Sequence, residues 1–405
     1  MNLVRHQFKM TQRVGSLSVS EVNNLKAVGL VVEYNPFHNG HLYHLQKAKE
    51  VTGADVVVAV MSGNFTQRGE PTILDKWQRA RAALNNGVDL VIELPLVSAV
   101  EPADRFAAGA LQLLADMQVE SVVFGAEHPH WDFHHMVDLE KSFQADQFKQ
   151  FDQTYATQFN QQLKERIGVS LIDPNDILAF SYYKANINSR FGLRLVPIQR
   201  TGSQYHDQQI RGKVASASAI RNSVTNKQQE LIQESVPEDT FEELVHLKMI
   251  PSWDQLYPLL RNQLIQAPQS LLAQTYQMSE GLENRLKRIA EQELTFDGFI
   301  KRVKTKRYTY AHLTRLFLYT VLQASETEVH NAIYHPYHHL LGFTEMGQEY
   351  LHHVKKQLQY PLITKVDQTL HHGDFTLDYR AGKLYQMFTP DEQDIKRSPI
   401  RVTVK

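Results

Sequence analysis

The chain has 405 residues, more than one ordinary core holds and enough for two or three domains. Its formal net charge is −1, so no global field draws it to nucleic acid or membrane, and any basic surface must be local. It contains no cysteine, which excludes disulfides and cysteine-based zinc sites and suits a reducing, cytoplasmic interior; no apolar run is long enough to span a bilayer.

In chain order, Met1 to Asn24 shows no helical or strand periodicity and no signal-like apolar stretch, and reads as a flexible extension. The apolar run Ala27 to Val32 predicts a buried strand. It leads through the turn Glu33-Tyr34-Asn35-Pro36-Phe37-His38-Asn39-Gly40-His41 into a predicted helix over Leu42 to Lys49. The turn therefore delivers His38 and His41, three residues apart, to the first turn of a helix, where they share a face. A helix N-terminus offers unpaired N–H groups and a positive dipole end, and Gly40 lets a phosphate approach the backbone. Donor histidines at such a place suit a triphosphate under attack at its α-phosphorus, although a His-x-Gly-His turn could also be purely structural.

Further strands are predicted at Asp55 to Met61, Asp89 to Leu94, Ser121 to Gly125 and Leu193 to Ile198. Helices are predicted at Asp75 to Asn85, with Asp75 as cap, and at Ala103 to Ala115. Continuous apolar strands alternating with helices indicate an α/β, Rossmann-like domain with a parallel sheet covered on both faces and ligands at the strands' carboxyl ends. Residues 25–223 form this domain, with a polar, helical insertion at 128–190. Beyond it, 224–405 reads as mainly helical, with long helices at Glu230 to Met249 and Leu313 to Leu322. A short β-like tail follows at Asp374 to Tyr379 and Gly382 to Tyr385.

Four further features carry chemistry. Ser216-Ala217-Ser218-Ala219-Ile220-Arg221 can cap a helix and present hydroxyls and an arginine to terminal phosphates, or it can be a plain N-cap with a surface arginine. The loop Ser62 to Glu70 can close over ATP or hold a small carboxylate near Ser62, Asn64 and Arg68; otherwise it is a solvated loop. Tyr205-His206-Asp207 suits substrate positioning more than a catalytic dyad, because adjacent residues point apart. From Gly281 to Arg315, nine Lys or Arg face four acids, with Tyr308 and Tyr310 interleaved. That local excess, including Lys304, Lys306 and Arg307, suits RNA phosphates and unpaired bases, against the alternative of an exposed helix face. The histidine groups at 128, 130, 134 and 135 and at 335, 338 and 339 read as solvated surface, and no metal site is expected.

The His-x-Gly-His turn and the Ser-x-Ser-x-Ile-Arg segment resemble the nucleotidylyltransferase α/β-phosphodiesterase superfamily. Val28 to His41 (VGLVVEYNPFHNGH), Met61 to Pro71 (MSGNFTQRGEP), Asp89 to Pro95 (DLVIELP) and Pro174 to Leu178 (PNDIL) resemble the bacterial tRNA(Met) cytidine acetate ligase family from near Lys26 onward. The resemblance implies that ATP and acetate give acetyl-adenylate, and that the acetyl group passes to N4 of the wobble cytidine of elongator methionine tRNA. It implies His38 and His41 on the reacting phosphates, and Ser218 and Arg221 on pyrophosphate. Val31, Val32, Glu33, Tyr34, Asn35, Pro36, Phe37, Asn39, Gly40, Leu42, Tyr43 and His44, with Gly125, Asn175 and Arg200, would line the nucleotide pocket. Mg2+ is expected with the triphosphate, and the second half would dock the anticodon arm. The rival readings are a small-molecule adenylyltransferase that forms a dinucleotide cofactor and a non-catalytic RNA-binding protein on the same fold.

Overall fold

The computed structural model of the protein describes residues 25–142, 155–200, 213–279, 281–305 and 307–403. Met1 to Asn24, Tyr205-His206-Asp207 and Lys306 lie outside the described residues.

Five strands form the parallel part of the sheet: β1 (Ala27–Val32), β2 (Val56–Ser62), β3 (Leu90–Leu94), β4 (Ser121–Ala126) and β5 (Arg194–Gln199). Their order is β5-β4-β1-β2-β3. Every residue of β2, Val-Val-Val-Ala-Val-Met-Ser, is buried, because both faces are covered. Val56, Val58 and Val60 pack on one side and Val57, Ala59 and Met61 on the other, the period-2 alternation of a strand. The first side is covered by α3 (Ala103–Asp116) and α6 (Pro174–Ser189). The second is covered by α1 (Asn39–Thr52) and α2 (Lys76–Asn85). Asp75 caps α2 as expected, its side chain accepting from Gln78 N. Among the described residues of 128–190 are α4 (Phe133–Ser142), α5 (Tyr155–Ile167) and α6.

Beyond residue 223 the helices are α8 (Glu238–Val245), α9 (Trp253–Gln266), α10 (Leu282–Gln292), α11 (Phe296–Val303), α12 (Tyr310–Val321) and α13 (Glu326–Tyr334), following α7 (Ala217–Thr225). The expected single helix over 230–249 is interrupted: a 3-10 turn at Gln229–Ile232 precedes α8, and Pro237, which has no N–H to donate, stands between them.

Two expectations are corrected. The 374–385 stretch is not β-like. It forms α15 (Thr376–Tyr385), which buries Leu377, Ala381, Leu384 and Tyr385 at helical spacing and follows α14 (Glu345–Val354). The histidines at 338 and 339 are not solvated. They lie in β6 (His338–Thr344), which pairs antiparallel with β3 and extends the central sheet. His338 Nε2 lies 2.7 Å from Asp116 Oδ2, and His339 Nδ1 lies 2.5 Å from Glu93 Oε2. Two short strands, β7 (Leu362–Ile363) and β8 (Ile400–Val402), run parallel to β6 on its far edge. The second half of the chain thus completes the sheet that carries the first half.

Candidate nucleotide-binding site

At the carboxyl ends of β1, β4 and β5 lies a cavity of about 580 Å³. His38 is the N-cap of α1, and its Nδ1 accepts from Gly40 N at 3.0 Å. His41, one turn on, accepts at Nδ1 from His38 N at 3.3 Å. The rings stack with centroids 3.7 Å apart. Since an N–H can only donate, both Nδ1 atoms are the unprotonated nitrogens, which leaves an Nε2–H donor on each neutral ring. A Cβ on Gly40 would sit 2.8 Å from His38 Cε1, so this capping geometry needs glycine there. The chemistry of the motif therefore begins as a helix cap.

Burial pushes the His38 pKa down to about 3, with Arg200 and Arg221 adding to the effect. His41 is also held well below the ordinary histidine range, first by burial and then by His38, His44 and Arg200. His44 Nε2 lies 3.1 Å from the Val123 carbonyl, so Nε2 donates and Nδ1 is left as an acceptor; its pKa falls to about 4, chiefly through burial. These rings enter the site as neutral donors and acceptors.

A second helix N-terminus closes on the same cavity. Ser216 caps α7 by accepting from Ala219 N at 3.1 Å, and Ser216, Ala217 and Ser218 line the wall. Gly125, Asn175 and Arg200 line it as well, with Val31, Val32, Glu33, Gly40 and Tyr43. Asn175 is oriented by Glu127 Oε1 at 2.6 Å.

The remaining predicted residues support the site from behind. Tyr34 and Phe37 are buried in the core with rings 4.7 Å apart, and Leu42 packs against the same core. Asn35 accepts at Oδ1 from Ile73 N, and Pro36 follows it through a cis peptide bond. Asn39 donates to the carbonyls of Lys213 and Glu234, which ties α1 to the segments before and after α7. Arg221 Nη1 donates to the Asn35 carbonyl at 2.7 Å, which holds the guanidinium against the turn.

Ser62 and Asn64, expected beside the small acid, are not brought to the cavity. Ser62 is fully buried. Asn64 donates to Gln393 Oε1 and accepts from Lys76 N, so its amide is consumed in the core. Gln67 and Arg68 of the same loop do line the cavity. The loop is docked on the second half of the chain: Thr314 Oγ1 donates to the Arg68 carbonyl, and Trp253 Nε1 to that of Gly69. Gly69 has φ +74°, and a Cβ there would lie 2.7 Å from Arg315 N.

Arg79 was not singled out in the sequence. Fully buried in α2, it donates to the carbonyls of Leu74, Glu33, Ser62 and Gly63, holding the ends of β1 and β2 in place. Beneath it, Lys76 Nζ bonds Glu93 at 2.8 Å and Asp394 at 2.6 Å, all three buried.

Much of the basic stretch is occupied structurally. Lys287 Nζ donates to the carbonyls of Leu264, Ile265 and Ala267 at the end of α9. Arg302 pairs with Glu293, Lys301 with Asp297, and Arg285 donates to the Arg302 carbonyl. Lys304 and Arg307 are exposed, and the Arg307 guanidinium lies 5.9 Å from the Tyr308 ring.

A parallel sheet whose first strand ends in paired histidines at a helix N-terminus, faced by a second helix N-terminus, defines a nucleotidyltransferase. The model of the HIGH nucleotidyl transferase family matches residues 25–398. Among curated relatives, the tRNA(Met) cytidine acetate ligase of Limosilactobacillus reuteri is 62% identical over 93% of this chain and 99% of its own. That of Limosilactobacillus fermentum is 61% identical over 93% of this chain and 100% of its own. The crystal structure of Thermotoga maritima TmcAL in its apo form superposes with a TM-score of 0.85 at 33% identity, covering 94% of this chain and 100% of that one. The same protein bound with alpha-thio ATP superposes with a TM-score of 0.82 at 32% identity. The chain belongs to the tRNA(Met) cytidine acetate ligase family.

Proposed function

We propose that the protein is an ATP-dependent ligase that activates acetate as acetyl-adenylate and transfers the acetyl group to N4 of the wobble cytidine of elongator methionine tRNA. The observation that carries the reading is the convergence of two Nε2–H donors and two helix N-termini on one cavity, in a chain of this family. His38 and His41 meet the charge that develops on the phosphates as acetate attacks the α-phosphorus. Ser218, with Arg221 behind it, holds the departing pyrophosphate, and Gly125, Asn175 and Arg200 hold the nucleoside. Acetate supplies its own nucleophile, so the protein needs to orient it, and Arg68 is the cation at the cavity suited to pair it.

Mg2+ would be expected to accompany the triphosphate. Among the described residues lining the cavity Glu33 is the single carboxylate, and the rest of the polar lining is imidazole, hydroxyl, amide and guanidinium rather than a carboxylate cage. This fits a cation carried mainly by phosphate oxygens and water, and the ion's part is to neutralise phosphate charge. The anticodon arm would reach the cavity across the exposed surface bearing Lys304 and Arg307. The small-molecule adenylyltransferase reading would leave the second half of the chain with a structural part only. Acetate-dependent exchange of labelled pyrophosphate into ATP tests the activation step. Exchange with acetate, absent with nicotinamide mononucleotide or phosphopantetheine, is the expected result; the reverse pattern would overturn it.

A further inference from the structure

Glu33 presents an acid at a place where both reactants so far assigned are anions. It lies at the end of β1, and its side chain lines the cavity between the histidine pair and the Gln67–Arg68 loop. Its backbone carbonyl is held by Arg79 at 2.7 Å, and its Oε1 accepts from Gln67 N at 2.7 Å. Its Oε2 makes no hydrogen bond among the described residues. A carboxylate held this firmly repels acetate and phosphate alike, so its natural occupant is a neutral group that carries N–H donors. Cytosine presents such a group at N4, and a carboxylate is the side chain that accepts from it. Phe106, Phe124 and Tyr182 also line the cavity, apolar surface beside which a base extruded from a tRNA loop can lie.

We propose that Glu33 receives the cytosine N4 amino group and acts as general base in acetyl transfer. The N4–C bond to the acetyl carbon forms, and the bond from that carbon to the phosphate oxygen of AMP breaks. AMP leaves with the electron pair, and the N4 proton goes to Glu33 Oε2. The amino lone pair of cytosine is delocalised into its ring, so attack gains from proton removal in the transition state. Burial raises the Glu33 pKa, opposed by the Gln67 N–H and by Arg221, Arg68 and Arg79, which face it from α7, the β2 loop and α2. Tyr182 faces it from α6. A carboxyl raised in this way is a better proton acceptor than a solvated one once it is ionised.

The inference rests on the ligase reading, and its test separates the two. The full chain, as wild type and as Glu33→Gln and Glu33→Asp, is assayed for acetate-dependent pyrophosphate exchange. Each is then assayed in single turnover for acetyl transfer to elongator methionine tRNA. Glu33→Gln is expected to slow transfer about 10²- to 10⁴-fold while exchange falls much less, and Glu33→Asp to recover part of the transfer rate. The wild-type transfer rate should fall on acidification along a limb that exchange does not share and that Glu33→Gln lacks. Equal losses in both assays, or transfer unaffected by Glu33→Gln, would overturn the base assignment. If Glu33→Gln does not fold, the wild-type profiles decide: a transfer rate with no acid limb of its own would overturn it. Failure of the wild type to acetylate cytidine at all would instead overturn the ligase reading, and this inference with it.

Discussion

His38 and His41 show how one pair of side chains serves fold and chemistry together. Each ring spends Nδ1 on a backbone N–H at the start of α1, and that fixes the Nε2–H tautomer which the proposed reaction would use. His41→Ala should therefore lower acetate activation by about 10²- to 10³-fold at saturating ATP, with a smaller effect on ATP affinity. Steady-state exchange kinetics beside equilibrium ATP binding will show this, and a change confined to affinity would contradict it. Titration gives a second expectation. His38 and His44 are held neutral, with pKa values near 3 and 4 in place of 6.5. Their contribution to stability is thus complete above about pH 6.5, where folded and unfolded states are both neutral. It is lost as pH falls toward 4 and 3, because the unfolded chain binds protons first. ATP brings negative charge to these rings and raises their pKa, so ATP binding near pH 5 should take up protons. Calorimetry in buffers of different ionisation heat reads this directly, and no buffer dependence would contradict it. At this scale the sequence was informative where a motif had a strand before it and a helix after it. It was silent on Arg79, which looks like any helix-surface arginine until the strand ends it grips are placed beside it.

At the scale of elements, β1 to β4 were legible as largely apolar runs, and β5 by the shorter core Leu195-Val196-Pro197-Ile198 between Arg194 and Gln199. β6 was not, because His338 and His339 make its first turn-like residues look polar, and only pairing with Asp116 and Glu93 makes their burial tolerable. α15 was misread because Phe375, Leu377 and Tyr379 alternate like a strand, while Leu377, Ala381 and Leu384 mark the helix. Ser62 and Asn64 were placed at the site by proximity in sequence. The strand end turns them into the core, and only Gln67 and Arg68 emerge at the cavity. The buried Lys76 joins these elements. Burial alone would raise the Glu93 pKa, but Lys76 and His339 bring it down to about 2. Glu93 thus stabilises the fold above about pH 4.5, and this is lost as pH falls toward 2. Lys76→Met leaves two buried carboxylates without their cation and should cost about 3–5 kcal/mol near neutral pH. The deficit should shrink as pH falls, because the abandoned carboxyls then protonate. Chemical denaturation at pH 8 and pH 5.5 tests it, and an equal deficit at both would contradict the assignment. The basic stretch divides in the same manner. Lys287→Ala should lower thermal stability, since three carbonyls at the end of α9 lose their donor, with little change in tRNA affinity. Joint reversal of Lys304 and Arg307 to glutamate should weaken tRNA binding and flatten its salt dependence without affecting acetate-dependent exchange. The opposite assignment of effects would remove this surface from the RNA interface.

Across the whole molecule, the two halves are joined by more than a linker. β6 completes the sheet at β3, Asp394 pairs Lys76, Gln393 bonds Asn64, and Tyr385 donates to the Thr72 carbonyl. The loop that carries Gln67 and Arg68 is clasped between these contacts and α12. A segment ending at residue 223 would leave β3 with an open edge and Lys76 without Asp394, so it should not fold to a protease-resistant domain. The full chain therefore suits the proposed reaction better than a segment would, because the loop that brings Gln67 and Arg68 to the cavity is held by Trp253 and Thr314 of the second half. The most direct measurement is nucleoside mass spectrometry of elongator methionine tRNA after incubation with the protein, ATP and isotopically labelled acetate. The expected product is labelled N4-acetylcytidine at the wobble position, dependent on both ATP and acetate. Unmodified cytidine under conditions where the protein binds ATP and tRNA would contradict the account.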